Sequence, residues 1–442
     1  MAAWGDLTID NFQPAEKVRY PLVILRGGAE GREMAVGTSW ATAIRFPVIN
    51  RRYVAVVELK PGINMLLLHA GSETMKFRLD YKPMSGPYKV YTVYVSAADE
   101  GETYYTTNKQ DKYPIREKLN VAMKLAQAVA ADAMIRSGYG RKTFPLEFDQ
   151  KGRVLVHFVK SLKSGAELSS MEPDSVLTHV LELVKGEFPD PNGKWCGLLG
   201  FASFDSTTKK ASGQFAFASG GHSLLGAASM EYWPSSLKEL PLTLANPKSI
   251  DPATTFEASG DRHAVWANVS TAYGSLLQSL GYTFGLGKSP DTRCIMSRGA
   301  DLFSRFLTAI EAPCEGHKDP TPFRPEELPH WDPFFAARLN FSPWFQPDRD
   351  SVLAPSPDLK PTIRIEGDDV VIDASYGIRV VGTQSDTIPS WFSEYRNGDP
   401  PRRLKLSRRD LRAKMQGSKL GFEIVAVDDH GQEAQITDKP DN

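Results

Sequence analysis

The residues whose types and spacing bear most on chemistry lie in Tyr273-Gly274-Ser275-Leu276-Leu277-Gln278-Ser279-Leu280-Gly281-Tyr282-Thr283-Phe284-Gly285-Leu286-Gly287-Lys288, with Met296 eight residues further on. Gln278 and Tyr282 stand one helical turn apart, Gly285 sits where a chain can turn, and Lys288 follows three residues later. Three imidazoles at that spacing, with a carboxylate beside the first, would hold zinc and activate a water for peptide hydrolysis. Here the spacing is present and the donors are not.

Each position fails for its own reason. A Gln amide oxygen is a weak, neutral ligand for zinc, and a Lys ammonium has three donors and no lone pair. Tyr282 ligates only as a phenolate, and one phenolate is not a site. Ser279 stands where a general base is needed and has no carboxylate to take a proton from a metal-bound water.

The window has matching surroundings. Met230-Glu231-Tyr232-Trp233-Pro234 and Asp261-Arg262-His263-Ala264-Val265-Trp266 precede it, and Cys294-Ile295-Met296-Ser297-Arg298-Gly299 follows. With these flanks the chain resembles, over most of its length, the fungal zinc metalloproteinases, a metzincin-like family. Active members of that family carry a His-Glu-x-Gly-His helix, a Gly-Ile-Met-x-Arg turn and flanking β domains. The resemblance implies a structural role for Met296, as the hydrophobic floor beneath the metal position, and a turn role for Gly285. It implies that Gln278, Ser279, Tyr282 and Lys288 are degenerate catalytic positions, so neither a catalytic metal nor another cofactor is expected. The plain reading of the same residues is a core helix, because Val269, Tyr273, Leu276 and Leu280 share one face at helical spacing.

The elements that must position this window follow from the rest of the chain. Its 442 residues exceed one ordinary core. The expected architecture is α+β and multidomain: an N-terminal β-sandwich (1–85), a central metzincin-like α/β domain (86–348), a linker (349–361) and a small C-terminal β domain (362–442). The β reading of the first part rests on Tyr53-Val54-Ala55-Val56-Val57-Glu58-Leu59 and on the alternation of Met75, Phe77, Leu79 and Tyr81. The α/β reading of the centre rests on strand Tyr88–Val95, a long helix opened by Pro114 and stopped by Gly138, strand Val154–Val159 and helix Val176–Val184. The resemblance places a cleft-lining edge strand between Trp195 and Gly226. Leu302–Leu307 reads as one more helix, and the aromatics between Pro320 and Pro347 read as a seal between domains. The prolines of Val352–Asp358 mark the linker, and Thr362–Ile372 reads as a hairpin.

Two histidines are candidate cleft residues. His222 follows Gly220-Gly221, and His263 precedes the degenerate helix, where it reads as a hydrogen-bonding partner rather than a ligand. A basic run, Arg402, Arg403, Lys405, Arg408, Arg409, Arg412 and Lys414, is a candidate patch for an acidic partner.

Charge is balanced at 52 basic against 53 acidic residues, so no global field recruits nucleic acid or anionic lipid. Three scattered cysteines point to a reducing compartment, and Met1–Asp6 has neither the basic start nor the apolar run of a secretory leader. A cytoplasmic or nuclear location without membrane attachment is expected. The reading favoured is a catalytically inactive peptidase-like protein with protein partners. Two others compete with it: an active metallopeptidase with a non-standard site built from Tyr282 with His263 or His222, and a polyanion- or glycan-binding protein acting through the C-terminal β domain.

Overall fold

The computed structural model describes residues 7–107, 112–188, 190–213, 216–219, 221–346, 356–415 and 421–439. Met1–Asp6, Gly220, most of the expected linker (349–355) and the end of the chain (440–442) lie outside the described residues. The fold is mixed α/β and built from several sheets.

The first strands are β1 (Glu16–Val18), β2 (Leu22–Gly28), β3 (Glu33–Gly37), β4 (Ile44–Ile49), β5 (Arg52–Glu58), β6 (Gly62–Ala70) and β7 (Glu73–Tyr81). They form one connected sheet in the order β1-β7-β6-β3-β4-β5-β2. β4 joins its two halves, pairing with β3 through Ile44–Pro47 and with β5 through Val48 and Ile49. The alternation along β7 is real: Phe77, Leu79 and Tyr81 are buried, and Lys76 and Arg78 are exposed.

The centre of the molecule contains β8 (Lys89–Ser96), α1 (Ile115–Arg136), β9 (Val156–Lys160), α2 (Gly165–Ser170), α3 (Pro173–Glu187) and β10 (Gly193–Leu199). A small hairpin of β11 (Ser203–Asp205) and β12 (Lys210–Ser212) precedes β13 (Ala216–Ser219) and β14 (His222–Gly226). The central sheet runs β13-β14-β10-β8-β9. Its neighbours β14, β10, β8 and β9 are parallel, and β13 pairs antiparallel to β14 at one edge. Period-2 alternation gives the sheet two apolar faces. Val93, Val95, Trp195 and Leu199 pack with Val176, Val180 and Val184 of α3. Val90, Tyr94, Cys196 and Leu198 face the larger core that contains α1. The sheet is therefore covered on both sides, as a mostly parallel sheet requires.

After α4 (Leu240–Leu244) comes α5 (Val265–Thr283), the helix that carries the sequence window. Almost all of its residues are buried, because it lies between the sheet on one side and residues 298–306 on the other. The helix expected at Leu302–Leu307 belongs to a 3-10 stretch, Arg298–Phe306, with a non-helical break at Leu302 (φ −98°, ψ 20°). A short pair, β15 (Ile310–Glu311) and β16 (Thr321–Pro322), leads to α6 (Pro333–Phe341), whose N-terminus is capped by the Asp332 carboxylate.

The last part contains β17 (Thr362–Glu366), β18 (Asp369–Asp373), β19 (Ile378–Ser385), β20 (Ile388–Glu394), β21 (Arg403–Ser407), α7 (Arg408–Lys414), β22 (Phe422–Asp428) and β23 (Glu433–Asp438). Two sheets, β17-β18-β21 and β20-β19-β22-β23, enclose Val370, Ile372, Ile378, Val381, Phe422 and Ile424. The expected hairpin is β17–β18, turned by Gly367 at φ +65°.

Of the aromatics after Pro320, Phe334 packs this part against the centre, whereas Phe345 packs within the centre. Phe334 of α6 is buried against Phe392 of β20, with ring centroids 5.8 Å apart, and Phe345 contacts Phe144 and Phe284. Among the described residues, no helix is long and apolar enough to cross a membrane.

Candidate functional site

Four residues of α5 at helical spacing, Ser270, Gly274, Gln278 and Gly281, form one stripe along the helix. Gln278 and Gly281 meet the turn of Met296, and Ser270 and Gly274 meet the segment that follows it. The Ser270 hydroxyl donates to Asp301 O (2.8 Å) and accepts from Ser304 N (3.0 Å). Gly274 has no space for a side chain, since a Cβ there would stand 1.7 Å from Ala300 O. Gln278 Nε2 donates to Ile295 O (3.2 Å) and Ser297 O (3.1 Å). A Cβ on Gly281 would stand 2.3 Å from Met296 Sδ.

The turn itself is tight. Ser297 N and Gly299 N both donate to Cys294 O, and Met296 N donates to Cys294 Sγ at 3.3 Å. Met296 is buried directly beneath the helix. Burial also pushes the Cys294 thiol up to about 11, so it stays protonated at neutral pH and is a poor ligand.

The other window residues are placed as follows. Ser279 is buried, and its carbonyl accepts from Thr283 Oγ1 at 2.9 Å. Tyr282 is half-buried. Burial first, and the neighbouring Cys294 second, raise its phenol above the ordinary value, which opposes phenolate formation. Gly285 turns the chain at φ +78°, and its carbonyl accepts from Arg338 Nη2 at 2.9 Å. Arg338 in turn forms a fork on Glu433 of β23, at 2.8 and 3.1 Å. Lys288 is exposed, and its backbone N–H reaches Thr387 Oγ1 at 3.3 Å. The turn is thus held by α6 and by the C-terminal strands.

These residues do not fit a catalytic zinc. The Gln278 amide directs its donors at two carbonyls, the Tyr282 phenol is held protonated, Lys288 offers no lone pair and Ser279 supplies no base. Among the described residues, no group of three or more His, Cys, Asp or Glu is arranged to hold a metal ion.

The two histidines lie in separate places. His222 opens β14, buried and stacked on Trp195 (6.3 Å, 15°), which itself stacks on Tyr91 (4.3 Å, 12°). His263 adopts a left-handed conformation at φ 40°, and its Nδ1 lies 3.2 Å from Glu257 Oε2. It precedes the first turn of α5, and at ~1.5 Å per residue about 20 Å of helix separates that turn from Gln278. His263 and Tyr282 are not brought together.

The basic run is divided among several partners. Arg402 is exposed ahead of β21, Arg403 lies 3.7 Å from Asp373, and Lys405 lies 2.7 Å from Asp369. Arg408 and Arg412 share the buried Asp438, at 2.7 and 2.9 Å. Arg409 N donates to Asp368 Oδ1 at 3.0 Å, and the Lys414 ammonium lies 4.1 Å over the Trp391 ring.

Sequence reasoning missed Ser270, Gly274, Arg338 and Glu433. The seven-residue interval between Gly274 and Gly281 was a usable signal of close packing. The pairing of Arg338 with Glu433 had none, because the two lie 95 positions apart.

Residues 6–379 match Metallopep, described as a putative peptidase family. A protein of Schizosaccharomyces pombe described as a putative zinc metalloproteinase is 25% identical over 305 residues, which is 64% of this chain and 48% of that protein. The chain therefore spans about half the length of the curated relative it matches. Among solved structures, wild-type OgpA from Akkermansia muciniphila aligns at a TM-score of 0.47 and 15% identity, over 81% of this chain and 94% of that one. Archaemetzincin from Methanopyrus kandleri aligns at 0.23 and 16% identity, over 50% and 97%.

Proposed function

We propose, for a chain that belongs to the Metallopep putative peptidase family, that it is a catalytically inactive member working as a protein-interaction module. On this reading residues 86–348 form the peptidase-type unit, flanked by β domains at 1–85 and 362–442. The observation that carries it is the Gln278 side chain, whose amide donates to Ile295 O and Ser297 O. At the position where the pattern needs a metal-facing imidazole, this chain has a group that ties the helix to the turn beneath it. Tyr282 as a neutral phenol, Lys288 and Ser279 support the same reading.

Its binding mode follows from the sheet. β13 pairs with β14 on one side and stands at the end of the strand order, so it offers backbone N–H and C=O groups to an extended peptide. Such binding retains the substrate-like contact of a peptidase without the chemistry. The test pairs two assays on one extended-peptide library. The expected result is no cleavage, with binding that is lost in Ala218→Pro, which removes a strand N–H. Turnover that a chelator abolishes would overturn the proposal.

A further inference from the structure

We propose that Asn397 is a modification site, at which the backbone nitrogen of Gly398 closes on the side-chain amide and converts the residue to aspartyl and isoaspartyl forms. The inference is independent of the proposed peptidase-like function. Asparagine followed by glycine favours this reaction, because a residue without a Cβ lets its nitrogen swing onto the neighbouring amide carbon. The chain has two such pairs, Asn192-Gly193 and Asn397-Gly398, and the fold treats them in opposite ways.

Asn192-Gly193 is locked. Gly193 N donates to Asp190 O (3.0 Å) and Asn192 N donates to Asp190 Oδ1 (2.9 Å), while Asp190 Oδ2 accepts from the Tyr91 hydroxyl (2.7 Å). Gly193 is also the first residue of β10, in register with Lys89 of β8, and a Cβ there would stand 2.9 Å from Tyr91 Cε2. Its nitrogen cannot turn toward the Asn192 side chain without leaving the strand.

Asn397-Gly398 is open. Both residues are exposed, in the loop that follows β20. Among the described residues, neither the Asn397 side chain nor the Gly398 N–H has a hydrogen-bond partner. A Cβ on Gly398 would meet nothing within 4 Å. The anchors lie on either side: Arg396 Nη1 donates to Gly138 O (3.3 Å), and Gly398 O accepts from Arg379 Nη1 (3.0 Å).

The only co-reactant is water. Gly398 N loses its proton and attacks Asn397 Cγ; the N–Cγ bond forms, the Cγ–Nδ2 bond breaks, and the amide nitrogen takes up a proton and leaves as ammonia. Water then opens the cyclic imide. Attack at Cγ gives an aspartyl side chain on the original backbone, and attack at the backbone carbonyl carbon of residue 397 leaves the chain running through Cγ. Nothing is oxidised or reduced. Either product puts a carboxylate next to Arg396, and the isoaspartyl form lengthens the backbone by a methylene between the two anchors.

The test holds the full chain in mildly alkaline buffer at physiological temperature for several weeks, with peptide mass spectrometry that separates asparaginyl, aspartyl and isoaspartyl forms. Conversion at Asn397 should outrun that at Asn192 about tenfold or more, because Asn192 reacts only after a backbone hydrogen bond and a strand contact are broken. It should quicken as pH rises, since the attacking nitrogen must lose a proton. Unfolding in urea should bring the two sites to similar rates. Gly398→Ala should slow conversion at Asn397 several-fold in the folded and in the urea-unfolded chain, so the readout does not depend on how well that variant folds. Four results would overturn the proposal: no conversion at Asn397 in the folded chain, conversion at Asn192 as fast as at Asn397 before unfolding, an Asn192 that stays slow in urea, or an unchanged rate in Gly398→Ala.

Discussion

Gly281 of α5 lies against Met296 with no room for a side chain, a Cβ there being 2.3 Å from the sulfur. The helix and the turn beneath it are thus in direct contact through the absence of a methyl group. In an unconstrained helix, Gly→Ala would add about 0.5–1 kcal/mol of stability. Here the methyl must displace the buried Met296 side chain, with Trp331 in ordinary contact behind it, and overpacking costs about 1–3 kcal/mol. Gly281→Ala should therefore lower the thermal midpoint. A rise would show that Met296 moves aside freely.

Gln278 is predicted to be a structural residue. Gln278→Ala removes both donors to Ile295 O and Ser297 O and should destabilise the protein by about 1–3 kcal/mol. Gln278→Glu should cost at least as much, because it puts a carboxylate against two carbonyl oxygens. Urea denaturation of both variants measures this. Wild-type stability in both would remove the assigned role.

Acid should loosen the C-terminal sheets through Asp438. Burial alone would raise its carboxyl, but hydrogen bonds and charge from Arg408 and Arg412 hold it below the ordinary value. A depressed folded-state value stabilises the fold above the unfolded carboxyl value near 4, and that contribution is lost as pH falls through the folded value. Stability should drop with pH below about 4, and Asp438→Asn should flatten that drop while lowering stability at neutral pH. Chemical denaturation across pH 2–7 tests both signs.

Phe334 should prove central to the joint between the centre and the C-terminal strands. It is buried against Phe392, and its ring fills the space over Gly382, where a Cβ would come within 2.4 Å of Cε2. Phe334→Ala should cost about 3–5 kcal/mol. Limited proteolysis should then release the C-terminal strands earlier than in the wild type; an unchanged digestion pattern would mean that other contacts hold the joint.

Local pattern made several elements legible in the sequence. Pro114 and Gly138 bracket α1, which spans Ile115–Arg136, and Gly367 turns the β17–β18 hairpin. These features act within a few residues, so composition and spacing reveal them. The break at Leu302 was not readable, because it depends on where Ala300 and Asp301 meet α5 across the core. The spacing of Gln278, Tyr282, Gly285 and Lys288 was visible, but the use the chain makes of Gln278 was not. That use depends on carbonyls 17 and 19 positions away, brought close by the fold. The basic run looked uniform in the sequence and is divided by partners drawn from β18, β20 and β23.

The most direct test of the central claim is metal content. The purified chain would be incubated with excess zinc, desalted and analysed by mass spectrometry, beside a variant carrying Gln278→His, Ser279→Glu, Tyr282→His and Lys288→His. The account predicts no stoichiometric zinc in the native chain, whether or not the fourfold variant recovers a site. About one equivalent retained by the native chain, and lost in Tyr282→Phe, would contradict it.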